Sequence, residues 1–176
     1  MLKKILIGLI VIVGAILTYA ALQPSHYSIV REVTINSPAA AIFPWINNSQ
    51  KTQSWVPWAE MDPALKMTYS GPAEGVGSSA HWTSEGHMGV GSAIIVETTP
   101  NKSVKTTVQY EKPFAGTQDV EISIVETNGI SVVQWSANGQ NNFIGRVMCL
   151  FVNMDKKVGE SFEKGLSKLK TTVEKK

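Results

Sequence analysis

The stretch Asn153-Met154-Asp155-Lys156-Lys157-Val158-Gly159-Glu160-Ser161-Phe162-Glu163-Lys164-Gly165-Leu166-Ser167-Lys168-Leu169-Lys170-Thr171-Thr172-Val173 decides the fold. Its apolar residues Met154, Val158, Phe162, Leu166, Leu169 and Val173 fall three or four positions apart, which is the spacing of one helix face. Phe151 and Val152 extend the stripe upstream. Lys156, Lys157, Glu160, Glu163, Lys164, Lys168 and Lys170 occupy the solvated face. Asn153 suits the N-cap, Asp155 the positive end of the dipole, and the closing lysines the negative end. A helix of this length spans about 30 Å and needs a broad apolar surface to lie on. Almost everything from Ser28 to Asn138 reads as β-strand, so that surface is a sheet.

The totals agree with one domain. The chain has 176 residues, 43% of them apolar and 17% charged, which argues against disorder. The net charge of +2 comes from Lys3 and Lys4, and the remainder balances at 14 basic against 14 acidic residues. Such a neutral body gives no nucleic-acid footprint. The single cysteine, Cys149, excludes an internal disulfide, and its place in the apolar run Met148–Leu150 reads as core.

Upstream of the sheet, Lys3 and Lys4 precede an uncharged apolar run from Ile5 to Leu22, long enough to cross a bilayer core. A cleaved signal has a shorter apolar region and a small-x-small site, for which Thr18-Tyr19-Ala20 is a poor match. The expectation is an uncleaved anchor and linker over residues 1–25, lysines in the cytoplasm, and a domain over residues 26–176 outside it, periplasmic or on the cell surface.

Within the domain, Tyr27–Ile35 alternates as a first strand. Ser37 as N-cap and Pro38 at the first helical position then open a short helix over 39–46, and a second short helix runs from Gln50 to Trp55. Strands follow at Leu65–Ser70, Ser79–Ser84, Gly89–Glu97, Val104–Tyr110, around Val120, Ile122 and Ile124, and at Ile130–Ala137. Asn128-Gly129 is a type I′ hairpin signal. Asn138–Asn142 reads as loop. The expected fold class is therefore α+β, with one strand, two short helices, a meander of about six antiparallel strands, and a long helix on its concave side.

Ordered local words accompany this arrangement: Trp55-x-x-Trp58, Asp62-Pro63, Tyr69-Ser70-Gly71-Pro72, Gly75-Val76-Gly77-Ser78, Trp82, Gly89-x-Gly91, Lys112-Pro113-Phe114, Val133-x-Trp135 and Gly165-Leu166. Together with the element order they resemble the START-like (SRPBCC) superfamily, in particular its polyketide cyclase/dehydrase-like branch, over the chain from about His26. The resemblance implies a helix-grip fold with an internal cavity for hydrophobic molecules, in some members lipids or polyketides. It does not imply a particular reaction.

The site expectation is a set of ligand-binding residues: Trp58, Tyr69, Trp82, Tyr110, Trp135 and Phe162. Strand parity puts Trp82 with Ala80, and Trp135 with Val133, on the inner face. Aromatics with polar tips suit a cavity wall, and they equally fill an ordinary core. His81, Glu85 and His87 cluster at a hairpin, but their spacing fits no standard metal-ligand pattern and His81 takes the outer face. Asp119 and Glu121 flank an inward Val120 and therefore point outward, so they form no catalytic pair. No cofactor, metal or catalytic set is expected.

Two functions from different classes follow, a membrane-tethered binding module for a hydrophobic small molecule or lipid and a cyclase/dehydratase-type enzyme. A third is an interaction domain with a filled core. A hollow interior with at least two inward polar side chains would favour the enzyme, and a tightly packed one the interaction domain.

Overall fold

A computed structural model describes residues 2–86 and 88–175. Helix α1 (Leu2–Leu22) leads into strand β1 (His26–Ile35), then α2 (Ala39–Ile46), α3 (Ser49–Trp55) and the single turn α4 (Trp58–Met61). Six strands follow: β2 (Lys66–Ser70), β3 (Ser79–Thr83), β4 (Val90–Thr99), β5 (Ser103–Lys112), β6 (Gly116–Thr127) and β7 (Ile130–Gln140). Helices α5 (Phe143–Cys149) and α6 (Met154–Glu174) close the chain.

The strands form one antiparallel sheet in the order β1-β7-β6-β5-β4-β3-β2. The meander makes each strand the neighbour of the next, and β1 closes onto β7 with Ile29 opposite Ala137. Asn128 and Gly129 both take positive φ, 53° and 78°, as a primed hairpin turn requires. The register between β4 and β5 shifts at Val90/Gly91 and at Ile95/Glu97, and such irregularities bend and twist a sheet. The resulting curve gives α6 a concave face to lie in, so the architecture is a helix-grip α+β fold.

Helix α6 starts where Asn153 accepts the Lys156 N–H. It buries Phe162, Leu166, Leu169 and Val173 against Ile29, Ile35, Val133 and Trp135. Each such side chain contributes about 1.5–3 kcal/mol. Arg31 on β1 clamps the outer side of α6 through Asp155 at 3.1 Å and Glu163 at 2.8 Å. Both partners are exposed, so the clamp sets position more than stability.

Several details differ from the sequence reading. Ser37 does not cap α2. Its carbonyl accepts the buried Ser131 hydroxyl at 2.7 Å, while the Glu126 carboxylate, reaching from β6, accepts the Ala39 N–H at 2.8 Å. An anion from another element replaces the local cap because the chain before Ala39 is held against the sheet. The segment 138–142 is not all loop, since β7 pairs with β1 as far as Gln140. Phe151 and Val152 do not continue the stripe of α6. They belong to an exposed turn between α5 and α6, and α5 itself, capped by Asn142, is too short for periodicity to reveal. Cys149 ends that helix and is exposed rather than core.

One buried polar residue organises the β3–β4 hairpin. Asp62 is 3% exposed and accepts bonds from the Ser84 hydroxyl at 2.8 Å, the Met88 N–H at 2.9 Å and the Ala64 N–H at 3.1 Å. Asp62→Ala strips these donors of their acceptor, and we expect a loss of about 2–4 kcal/mol in denaturant unfolding. A loss below about 0.5 kcal/mol would contradict this role.

Candidate functional site: a cavity between sheet and helix

The curved sheet and α6 do not close on one another completely. Between them lies a cavity of about 970 Å³, at the upper end of the range usual for small-molecule sites. Its floor comes from inward positions of β3 to β6, including Ala80, Ala93, Val108, Val120 and Ile122. Its far walls come from α3, α4 and α6. Its rim is the chain from Cys149 to Met154.

Of the residues expected from the sequence, Trp58, Trp82, Tyr110, Trp135 and Phe162 all line this cavity. Tyr69 does not. It sits at the end of β2 opposite Ala80, 42% exposed, with its pKa raised by partial burial. Trp135 is the hub: it stacks on Phe162 at 4.0 Å and meets Trp55 and Trp58 edge-on at 5.3 and 6.2 Å. Its buried Nε1–H has no hydrogen-bond partner among the described residues. Trp82 instead donates its Nε1–H to the Met88 carbonyl at 3.2 Å.

Two wall aromatics pack against glycines of the neighbouring strand. Trp82 pairs with Gly91 and Tyr27 with Gly139, and a Cβ at Gly91 would collide with the Trp82 ring and one at Gly139 with the Tyr27 hydroxyl and ring. Glycine is needed at both for close approach, not for φ.

The sequence reading missed a polar corner. Tyr110 on β5 donates its hydroxyl to Gln118 Oε1 at 3.0 Å, and Gln118 Nε2 on β6 donates to the Tyr27 hydroxyl on β1 at 3.1 Å. Parity held the signal: Gln118 shares its face with Val120 and Ile122, and Tyr27 with Ile29. Burial raises the Tyr27 pKa, opposed by the Gln118 bond. Tyr110 is pushed up to about 12, first by burial and then by Tyr27. Tyr110 lines the cavity and is 37% exposed. Both phenols are neutral at physiological pH, Tyr110 donating to Gln118 and Tyr27 accepting from it.

The raised pKa has a consequence for stability. Below pH 10, the ordinary tyrosine value, folded and unfolded chains are equally protonated at Tyr110. From there to about 12 the unfolded phenol ionises first, so stability falls across that window. Absorbance titration of tyrosinate should show a late-ionising group that disappears in Tyr110→Phe. Titration of every phenol near 10 would contradict the burial.

The remaining candidates fall outside the cavity. His81 and Glu85 are exposed, and His87 lies outside the described residues. Among the described residues no group of three or more His, Cys, Asp or Glu is placed to hold a metal. Asp119 accepts the Thr107 hydroxyl at 3.3 Å on the outer face.

No family model matches the sequence, and no curated protein matches it significantly. Solved structures do. Ara h 8.0201 aligns with a TM-score of 0.58 at 12% identity, over 86% of this chain and 99% of that one. CalU16 from Micromonospora echinospora aligns with a TM-score of 0.55 at 14% identity, over 83% and 75%. Aha1 from Colwellia psychrerythraea, solved as a dimer, aligns with a TM-score of 0.60 at 16% identity, over 84% and 96%. These likenesses show the fold.

Proposed function

We propose that the protein is a membrane-tethered binding module for a hydrophobic small molecule or lipid, held between the sheet and α6. The observation that carries this reading is the cavity itself: about 970 Å³, walled largely by aliphatic and aromatic side chains, with a neutral hydrogen-bonded corner at Tyr27, Gln118 and Tyr110. Such a site suits an apolar body with one polar end that the Tyr27 hydroxyl and the Gln118 amide can meet. In this reading residues 1–25 form the anchor and linker and 26–176 the binding domain. Helix α1 is long and apolar enough to cross a bilayer, and apart from Ala20 its described side chains are not buried against protein. A signal sequence passes the same test; the anchor is supported by the length of its apolar run. Lys3 and Lys4 orient the domain away from the cytoplasm.

The polar corner also favours a second reading, a cyclase/dehydratase-type enzyme, because Tyr27, Gln118 and Tyr110 could polarise a substrate carbonyl. That chemistry also needs a base. Among the described lining residues the carboxylate is Asp155, which is engaged by Arg31, so binding ranks first.

The test is titration of the full chain in lipid nanodiscs with a pyrene-labelled fatty acid, read by energy transfer from the wall tryptophans. Saturable one-to-one uptake is expected. A signal that rises linearly and equally in empty nanodiscs would contradict the reading.

A further inference from the structure

The chain between β7 and α6 exposes more apolar surface than a water-facing connection should. Phe143, Ile144, Met148, Phe151, Val152 and Met154 are 36–73% exposed within twelve residues. Contiguous apolar exposure of this kind marks an interaction surface. Its location identifies the partner. Arg146 on α5 donates to the Ala21 carbonyl at 2.9 Å and the Gln23 carbonyl at 3.4 Å, which caps the end of α1. Leu150 and Phe151 face Ala15, Ile16 and Tyr19 of α1 across a small void. At 1.5 Å per residue, those three positions lie about 5–10 Å below the end of α1 at Leu22. Interfacial segments sit about 5–10 Å into the headgroup and acyl boundary. The exposed patch is therefore continuous with the membrane helix.

The same segment is the rim of the cavity, which Cys149, Leu150, Phe151, Val152 and Met154 line. A rim in contact with lipid puts the opening at the bilayer. We propose that α5 and the turn to Met154 lie in the non-cytoplasmic leaflet of the membrane that α1 crosses, and that the cavity loads laterally from that leaflet rather than from water. This rests on the reading of α1 as an anchor and of the cavity as a ligand site. Loading from the leaflet keeps an apolar ligand out of water throughout, which removes the desolvation step that limits exchange through an aqueous mouth.

Two measurements on the full chain test it. In Cys149→Ser with Phe151→Cys, a nitroxide at 151 in phospholipid nanodiscs should collide readily with oxygen and poorly with a water-soluble nickel chelate, as expected about 5–10 Å below the phosphates. A nitroxide at Val125→Cys is the aqueous reference. Val125 is 65% exposed and pairs with Val132, near the end of the sheet remote from α1. Accessibility at 151 equal to that at 125 would overturn the proposal.

The second measurement uses Ile144→Asp with Met148→Asp, two exposed α5 positions outside the cavity lining. Uptake of a pyrene-labelled phospholipid from the nanodisc should slow at least about tenfold, while occupancy by the same probe in detergent micelles matches the parent. An unchanged rate would overturn lateral loading. Occupancy by neither protein in either medium would overturn the binding reading, and lateral loading with it. The depth measurement then decides the membrane contact independently.

Discussion

Ala93→Trp combined with Val108→Phe should abolish ligand uptake and leave the fold at least as stable as the parent. Both positions lie on the cavity floor, opposite one another in the β4–β5 register, and neither is fully buried. The added rings extend into the void rather than into packed atoms. Overpacking costs about 1–3 kcal/mol in a filled core. Here the ring atoms gain partners that the cavity lining lacks, and cavity-filling changes commonly add about 0.5–2 kcal/mol. Binding loses its volume, so affinity for a pyrene-labelled fatty acid should fall at least about a hundredfold, equivalent to about 2.7 kcal/mol. Denaturant unfolding and probe titration on one preparation check both halves. Retained binding would place the ligand elsewhere. Destabilisation by several kcal/mol would mean that the space is not there.

Trp135→Ala should have the largest effect on stability, about 3–5 kcal/mol. The indole is 4% exposed and joins Phe162 of α6, Trp55 of α3 and Trp58 of α4 in one aromatic cluster. Its removal leaves a hole where sheet, short helices and long helix meet. Set against a typical total of about 5–15 kcal/mol, that loss exposes a sizeable unfolded fraction near physiological temperature. Trp135→Phe separates packing from polarity. It keeps a ring over Phe162 and deletes an N–H that lacks a hydrogen-bond partner among the described residues, so its cost should stay below about 2 kcal/mol. Equal unfolding midpoints for Trp135→Ala and the parent would remove Trp135 from the centre of the fold.

Strands and the final helix were legible because their periods are carried by neighbours in sequence. Val120, Ile122 and Ile124 alternate, and Phe162, Leu166, Leu169 and Val173 repeat at helix spacing, whatever lies across from them. The aromatic wall followed from the same parity, as Trp82 and Trp135 show. The polar corner was harder to see, since Tyr27, Gln118 and Tyr110 are contiguous only through the β1–β7–β6–β5 register. The Glu126 cap on α2 and the Asp62 anchor are likewise products of tertiary contact. The rim was misread for a different reason. Phe151 and Val152 continue the apolar character of α6, yet they cover no protein core. Apolar sequence marks what avoids water, and it does not distinguish a protein interior from a lipid surface.

The most direct test of the central claim is native mass spectrometry of the full chain, released from nanodiscs under gentle conditions and followed by organic extraction. The account predicts a reproducible added mass at one-to-one stoichiometry, an extract containing a lipid or apolar metabolite, and no such mass in Ala93→Trp/Val108→Phe. A chain that flies empty and stays empty after incubation with fatty acids and phospholipids would contradict it.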